Sequence, residues 1–276
     1  MWLRLAGDRL WRPYASNHPI ALVTGASSGI GADLARQLAQ RGHGVILTAR
    51  RADRLTALQQ ELANHGVPVH VVVQDLAEPN APRQLLAAVQ ALGLEVSVLV
   101  NNAGYGIQGT FVDMDMAAIE QMTRVNLLAL TELTQLFGRA MAQRGGGRIL
   151  NVASAAAFLP SPYVAAYAAT KAYVLSFSEA IRFELAPCGV TVTTLYPGIT
   201  TTEFNKVAGA RTPGVMDLSI LGPADVARIG LDGLFAGKRA VVPGIINKIN
   251  AFFSQVFHRG VITWVAGRLL AAANRQ

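Results

Sequence analysis

Short apolar runs rich in β-branched residues recur along the chain and alternate with longer stretches of helical period. "IALVTG" (20–25), "GVILTA" (44–49), "PVHVVV" (68–73), "VSVLVN" (96–101), "RILNVA" (148–153), "VTVTTLY" (190–196) and "AVVP" (240–243) predict strands. They show no clean alternation of apolar and polar positions, as expected of parallel strands covered on both faces. Helices are predicted between them over roughly 29–41, 51–65, 81–92, 116–143, 163–186 and 224–236. This alternation implies right-handed crossovers and an α/β fold, a doubly wound parallel sheet of about seven strands. No linker rich in Gly, Pro or Ser divides the chain. One domain is expected over 19–243, with an N-terminal arm (1–18) and a C-terminal helical extension (244–276).

A sheet of this kind binds ligands outside the carboxyl ends of its strands, so residues just after strands carry the most information. The first strand runs into "TGASSGIG", Thr24 to Gly31. Gly25, Gly29 and Gly31 permit a tight turn and close backbone approach, and Ser27, Ser28 and Ile30 lie between them. The helix that follows directs free N–H groups at an anion, the arrangement that holds a pyrophosphate. The second strand ends "LTARR", with Arg50 and Arg51 and no acid. An acid there would bond a ribose 2′-OH, whereas an arginine accommodates a 2′-phosphate. NADP(H) is therefore the expected cofactor, with Arg50 as principal contact and Arg54 as helper. Asp75 and Leu76 in "QDL" are placed to hold an adenine. Asn102, Ala103 and Gly104 in "NNAG" border the adenosine ribose. Pro197, Gly198, Thr200 and Thr202 in "YPGITTTEF" are candidates for the nicotinamide amide and phosphates.

"YAATKAY" (167–173) sets Tyr167 and Lys171 four residues apart, on one face of a helix. An isolated pair of this kind is most often an aromatic packed over a lysine stem. A phenol, with an ordinary pKa of ~10, is drawn down by a nearby ammonium and can then exchange protons. Ser154 leaves the strand "RILNVA" thirteen residues earlier, within reach of a substrate oxygen beside the phenol. Asn126 in "RVNLLAL" is polar in an apolar helical stretch, either a satisfied core amide or the mark of a kinked helix holding a water behind Lys171.

Together TGASSGIG, NNAG, Asn126, Ser154, Y-x-x-x-K at 167–171 and PG at 197–198 resemble the short-chain dehydrogenase/reductase (SDR) family over about residues 19–243. The resemblance implies a Rossmann-type fold and an oxidoreductase interconverting carbonyl and alcohol. It implies Tyr167 as general acid/base and Ser154 as the residue orienting the carbonyl. Lys171 would bind the nicotinamide ribose and lower the tyrosine pKa, and Asn126 would anchor a proton-relay water. Asn102 matches the cofactor-contacting asparagine and Asn101 the one bracing the sheet. The family pattern also suggests a homodimer or homotetramer. The competing function is a non-catalytic NADP(H)-binding redox-sensing or scaffold protein on the same fold, which has no need of a tuned phenol.

The stretch 201–223 matches the family's substrate lid and is apolar, with Phe204, Val207, Val215, Met216, Leu218, Ile220 and Leu221. Phe158, Leu159, Pro160, Tyr163 and Val164 add apolar surface near Ser154. A lipophilic carbonyl or alcohol substrate is expected (acyl, steroid-like or terpenoid), with Lys206 and Arg211 available to an anionic carrier. Of 276 residues, 51% are hydrophobic and 15% charged, which excludes a disordered chain. The net charge of +7 favours anionic ligands or surfaces, but no basic cluster interleaved with aromatics supports nucleic-acid binding. Cys188 is the only cysteine, so no disulfide forms within the chain and no zinc cage is built from cysteines. Together with Arg4, Asp8 and Arg9 interrupting "MWLRLAGDRLWRP", this suggests a cytoplasmic protein without a signal peptide. In the extension, Ile249, Phe252, Phe253, Val256 and Phe257 recur at helical spacing, and Val261, Trp264, Val265 and Leu269 follow Gly260. With Lys248, Arg259 and Arg268, this segment either packs on its own domain or a second subunit, or contacts a membrane peripherally.

Overall fold

The computed structural model describes residues 18–201, 203, 220–256 and 258–274. Thr202, most of the apolar stretch after it, including Lys206 and Arg211, and the N-terminal arm lie outside the described residues. Seven strands, β1 (Ile20–Thr24), β2 (Gly44–Ala49), β3 (Val69–Val73), β4 (Val96–Asn101), β5 (Gly147–Val152), β6 (Val190–Leu195) and β7 (Ala240–Val241), form one sheet. Their order is β3-β2-β1-β4-β5-β6-β7 and every pairing is parallel. The predicted fold class is the observed one. The last strand is shorter than expected, since only Ala240 and Val241 pair with β6 before Pro243 ends the ladder.

Alternate residues of each central strand feed opposite cores, which explains the unbroken apolar runs. Ala21 and Val23 of β1, with Val98 and Val100 of β4, pack under α1 (Gly29–Gln40), α2 (Ala52–Leu62) and α7 (Pro223–Phe235). Ile20 and Leu22, with Val96 and Leu99, pack against α3 (Ala81–Ala91), α5 (Leu130–Gln143) and α6 (Ala165–Leu185). The chain reverses direction across the sheet between β1 and β4, and the crevice opens there.

Two features depart from the helices expected from periodicity. The stretch 116–143 is interrupted: α4 (Met116–Thr123) passes through one π-helical segment, Arg124–Ala129, before α5. The C-terminal extension forms two helices, α8 (Ile245–Val256) and α9 (Arg259–Asn274). Among the described residues no helix is long and apolar enough to cross a membrane.

Candidate active site

The carboxyl ends of β1 to β6 border a cleft of about 1050 Å³. Among the described residues, the catalytic and cofactor-binding candidates named from sequence all border it except Arg54 and Asn126, and of the apolar candidates near Ser154 only Phe158 and Leu159 do. At one end lies the glycine-rich turn. Gly25 has φ +66, and a Cβ on Gly31 would stand 2.3 Å from the Gly25 carbonyl oxygen and 2.4 Å from Asn102 Nδ2. Both positions therefore require glycine. Asn102 fastens this turn, donating from Nδ2 to the Thr24 carbonyl at 3.0 Å, while its N–H and that of Ala103 both donate to Thr24 Oγ1 at 2.9 Å. Ser28, at the N-cap of α1, makes no side-chain cap. The first-turn N–H groups thus have no capping side chain, which suits an anion at the helix start.

The arginines at the end of β2 are divided in a way the sequence did not reveal. Arg51, not Arg54, reaches the turn: its Nε donates to Ser27 Oγ at 3.2 Å, and its Nη2 to Ser27 Oγ at 2.9 Å and Ser28 Oγ at 2.7 Å. Arg50 borders the cleft, 67% exposed, with Asp75 at 3.8 Å. Arg54 lies one turn into α2 and ion-pairs with Glu203. Asp75 Oδ1 accepts from the Ala77 N–H at 2.9 Å, and Leu76 is buried beside it.

At the other end, α6 carries Tyr167 and Lys171 on one face towards Ser154. Ser154 follows β5 and its Oγ accepts the Ala156 N–H at 3.1 Å. The Tyr167 hydroxyl is hydrogen-bonded to the Ser154 side chain. Lys171 is buried, donating from Nζ to the Val152 carbonyl at 3.0 Å, and lies 5.8 Å from the Tyr167 ring centroid. The expected downward shift of the phenol is not what this surrounding produces. Burial pushes Tyr167 up to about 12, opposed by the Ser154 hydrogen bond, and pushes Lys171 down to about 8. Desolvation penalises the charged form of both groups and outweighs the ammonium at this separation.

Asn126 lies within the π segment and is fully buried. It accepts the Tyr105 N–H at 3.1 Å and donates to the Tyr105 carbonyl at 2.8 Å and Thr170 Oγ1 at 3.2 Å. A Cβ on Gly104 would come within 2.9 Å of Asn126 Oδ1 and 3.3 Å of Lys171 Nζ, so glycine lets this loop close over both. The expected irregular helix is present, and the amide is also engaged by the Tyr105 backbone and the Thr170 hydroxyl. Asn101 braces the sheet, donating to Thr134 Oγ1 and Asn151 Oδ1, both at 2.9 Å.

Pro197 accepts the Ala155 N–H at 2.8 Å, and Thr200 pairs with Leu221 in a parallel bridge. Gly198 is pressed against Asn247 of α8, whose side chain lies 2.3 Å from where a Cβ would be. Asn247, with Ile246, Ala251, Val261, Ile262 and Ala266, brings the extension into the cleft wall. Sequence reasoning named only Val261 of these six, and as part of a helical apolar face rather than of the cleft. For Asn247 the available signal resembled the one used for Asn126, an amide among apolar positions at helical spacing, but Lys248 and Asn250 beside it blur the pattern. Tyr163, where the chain turns into α6, holds φ +64, uncommon outside glycine, and its carbonyl accepts the Gly109 N–H at 2.8 Å.

The seven-stranded order and this cleft define a nucleotide-binding α/β protein. The family model described as short chain dehydrogenase matches residues 19–212, and the chain belongs to that family of oxidoreductases. It is 34% identical over 237 residues to a very-long-chain 3-oxoacyl-CoA reductase of Podospora anserina, covering 83% of this chain and 68% of that one. Against such reductases, the chain spans between 62% and 68% of the relative's length. A short-chain dehydrogenase from Sphingobium yanoikuyae in complex with NADPH superposes with TM-score 0.76 at 33% identity, over 88% of this chain and 95% of that one. The bulky-bulky ketone specific alcohol dehydrogenase from Comamonas testosteroni gives 0.75 at 28% identity, over 87% and 92%.

Proposed function

We propose that the protein is an NADPH-dependent reductase of lipophilic carbonyl compounds, acting between C=O and CH–OH groups. The observation that carries this reading is the convergence of Ser154, Tyr167 and Lys171 with the glycine turn and Arg51 on one cleft. The turn fits a dinucleotide: Gly25 and Gly31 are fixed as glycine by contact, and the start of α1 lacks a capping side chain. Gly25, Ser27, Gly29 and Gly31 would hold the pyrophosphate, Asp75 and Leu76 the adenine, Asn102 to Gly104 the adenosine ribose, and Lys171 the nicotinamide ribose. Arg50 and Arg51 would meet a 2′-phosphate, since the strand end "LTARR" carries arginines where an acid would favour a free 2′-OH. When bound, the nicotinamide supplies the hydride.

Ser154 orients the substrate oxygen and Tyr167 donates the phenolic proton to it. A phenol held at about 12 is fully protonated near neutral pH, the state an acid needs, and is still far more acidic than an alcohol. Lys171, charged below about 8, opposes the build-up of negative charge as the proton leaves. Lipophilic substrates are supported by the wall made of Phe158, Leu159, Ile246, Ala251, Val261 and Ile262, and by the likeness to a very-long-chain 3-oxoacyl-CoA reductase and a bulky-bulky ketone specific alcohol dehydrogenase. A steady-state screen of medium- and long-chain ketones with NADPH and with NADH tests both parts. NADPH oxidation rising with substrate chain length is expected. Equal use of NADH would overturn the cofactor assignment, and preference for short hydroxylated carbonyls would overturn the substrate class.

A further inference from the structure

The guanidinium groups at the end of β2 already have an anionic partner supplied by the chain itself. Glu203, six residues after Pro197 in the segment leaving β6, forms ion pairs with Arg51 and Arg54. Its Oε2 accepts from Arg51 Nη1 at 2.9 Å, and its two oxygens accept from Arg54 Nη1 at 2.8 and 2.7 Å. With Nε and Nη2 on Ser27 and Ser28, every nitrogen of Arg51 is engaged. Glu203 also borders the cleft. The Thr200–Leu221 bridge pins the segment three residues before it, so this reach is built into the fold.

We propose that Glu203 is a cofactor-selectivity residue whose carboxylate competes with the 2′-phosphate of NADP(H) for Arg51. The inference rests on the proposed NADPH reading of the arginines. A phosphate monoester carries close to two negative charges and three acceptor oxygens, against one charge and two oxygens for a carboxylate. The phosphate therefore wins, but its affinity is reduced by the contacts it must replace. A cofactor with a free 2′-OH does not need the Arg51 guanidinium, and Glu203 keeps it. Glu203 thus narrows the gap between NADPH and NADH without contacting either nicotinamide. The two arginines hold the Glu203 carboxyl down at about 2, so its side of the competition stays ionised throughout the neutral range.

Calorimetric titration with 2′,5′-ADP and with 5′-AMP tests this without turnover. In Glu203→Gln and Glu203→Ala, 2′,5′-ADP should bind about three- to thirtyfold more tightly than in wild type, the range expected for releasing one or two exposed ion pairs. Binding of 5′-AMP should change less than about twofold. Unchanged or weaker 2′,5′-ADP binding in both variants overturns the proposal, since Glu203 would then be neutral or a support for the arginines. The Arg51→Ala variant separates the two readings. If it loses the wild type's preference for 2′,5′-ADP while the Glu203 variants change nothing, the NADPH reading stands and the competition is wrong. If wild type shows no such preference, the NADPH reading fails and the proposal fails with it.

Discussion

Tyr167 and Lys171 illustrate how one site can contain two opposed electrostatic effects. The ammonium favours phenolate, but burial disfavours both charges, and burial dominates with Lys171 5.8 Å from the ring. Tyr167→Phe removes only the acid, so kcat for reduction should fall about a hundred- to ten-thousandfold while NADPH affinity, measured by fluorescence titration, changes little. The pH profile follows from the same two groups. Lys171 is charged below about 8 and Tyr167 protonated to about 12, so kcat/KM for reduction should stay level up to about pH 7 and fall with an apparent pKa near 8. An alkaline limb absent until pH 10 would show that Lys171 is not the titrating group. Gly104 was legible as a small residue beside the adenosine ribose, but not as the position that lets the loop close over Asn126 and Lys171. Its Cβ clearance to Asn126 and Lys171 depends on three distant segments meeting, and no local pattern encodes that. Arg51 was similarly hidden, because adjacent arginines at a strand end look alike until α2 sets one towards Ser27 and Ser28.

Among the elements, the π segment and the two C-terminal helices mark where periodicity stops being informative. The apolar spacing over 116–143 suits one continuous helix, and one extra residue per turn at 124–129 barely disturbs it. Asn126 was nevertheless conspicuous as a polar residue on an apolar stretch. Asn126→Ala leaves the Tyr105 N–H and carbonyl without their partner, and should cost about 1–3 kcal/mol in urea unfolding. The strands were legible because they are covered on both faces and β-branched, so length and composition both separate them from helices. The extension read as helical, but its inner face did not: Ile246, Asn247, Ala251, Ile262 and Ala266 meet the cleft, while Ile245, Ile249, Phe252 and Trp264 are exposed. Ile262→Asp places a charge in the apolar wall. It should raise KM for long-chain ketones about tenfold or more, the loss of an apolar contact plus a desolvation penalty, and leave small ketones nearly unaffected. An equal effect on both would place Ile262 outside the substrate path.

For the whole molecule, the parallel sheet brings residues from six strand ends into one cleft, with the glycine turn and arginines at one end and Tyr167 at the other. The central claim is that this cleft performs proton-coupled hydride transfer rather than only holding a cofactor. A single-turnover experiment tests it most directly: wild type and Tyr167→Phe are each loaded with NADPH, mixed with a panel of acyl, steroid-like and terpenoid ketones, and followed by loss of nicotinamide absorbance. The account predicts ketone-dependent oxidation of bound NADPH in the wild type and a rate at least about a hundredfold lower in Tyr167→Phe. Tight NADPH binding with no ketone-dependent oxidation by the wild type, or equal rates for the two proteins, would contradict it.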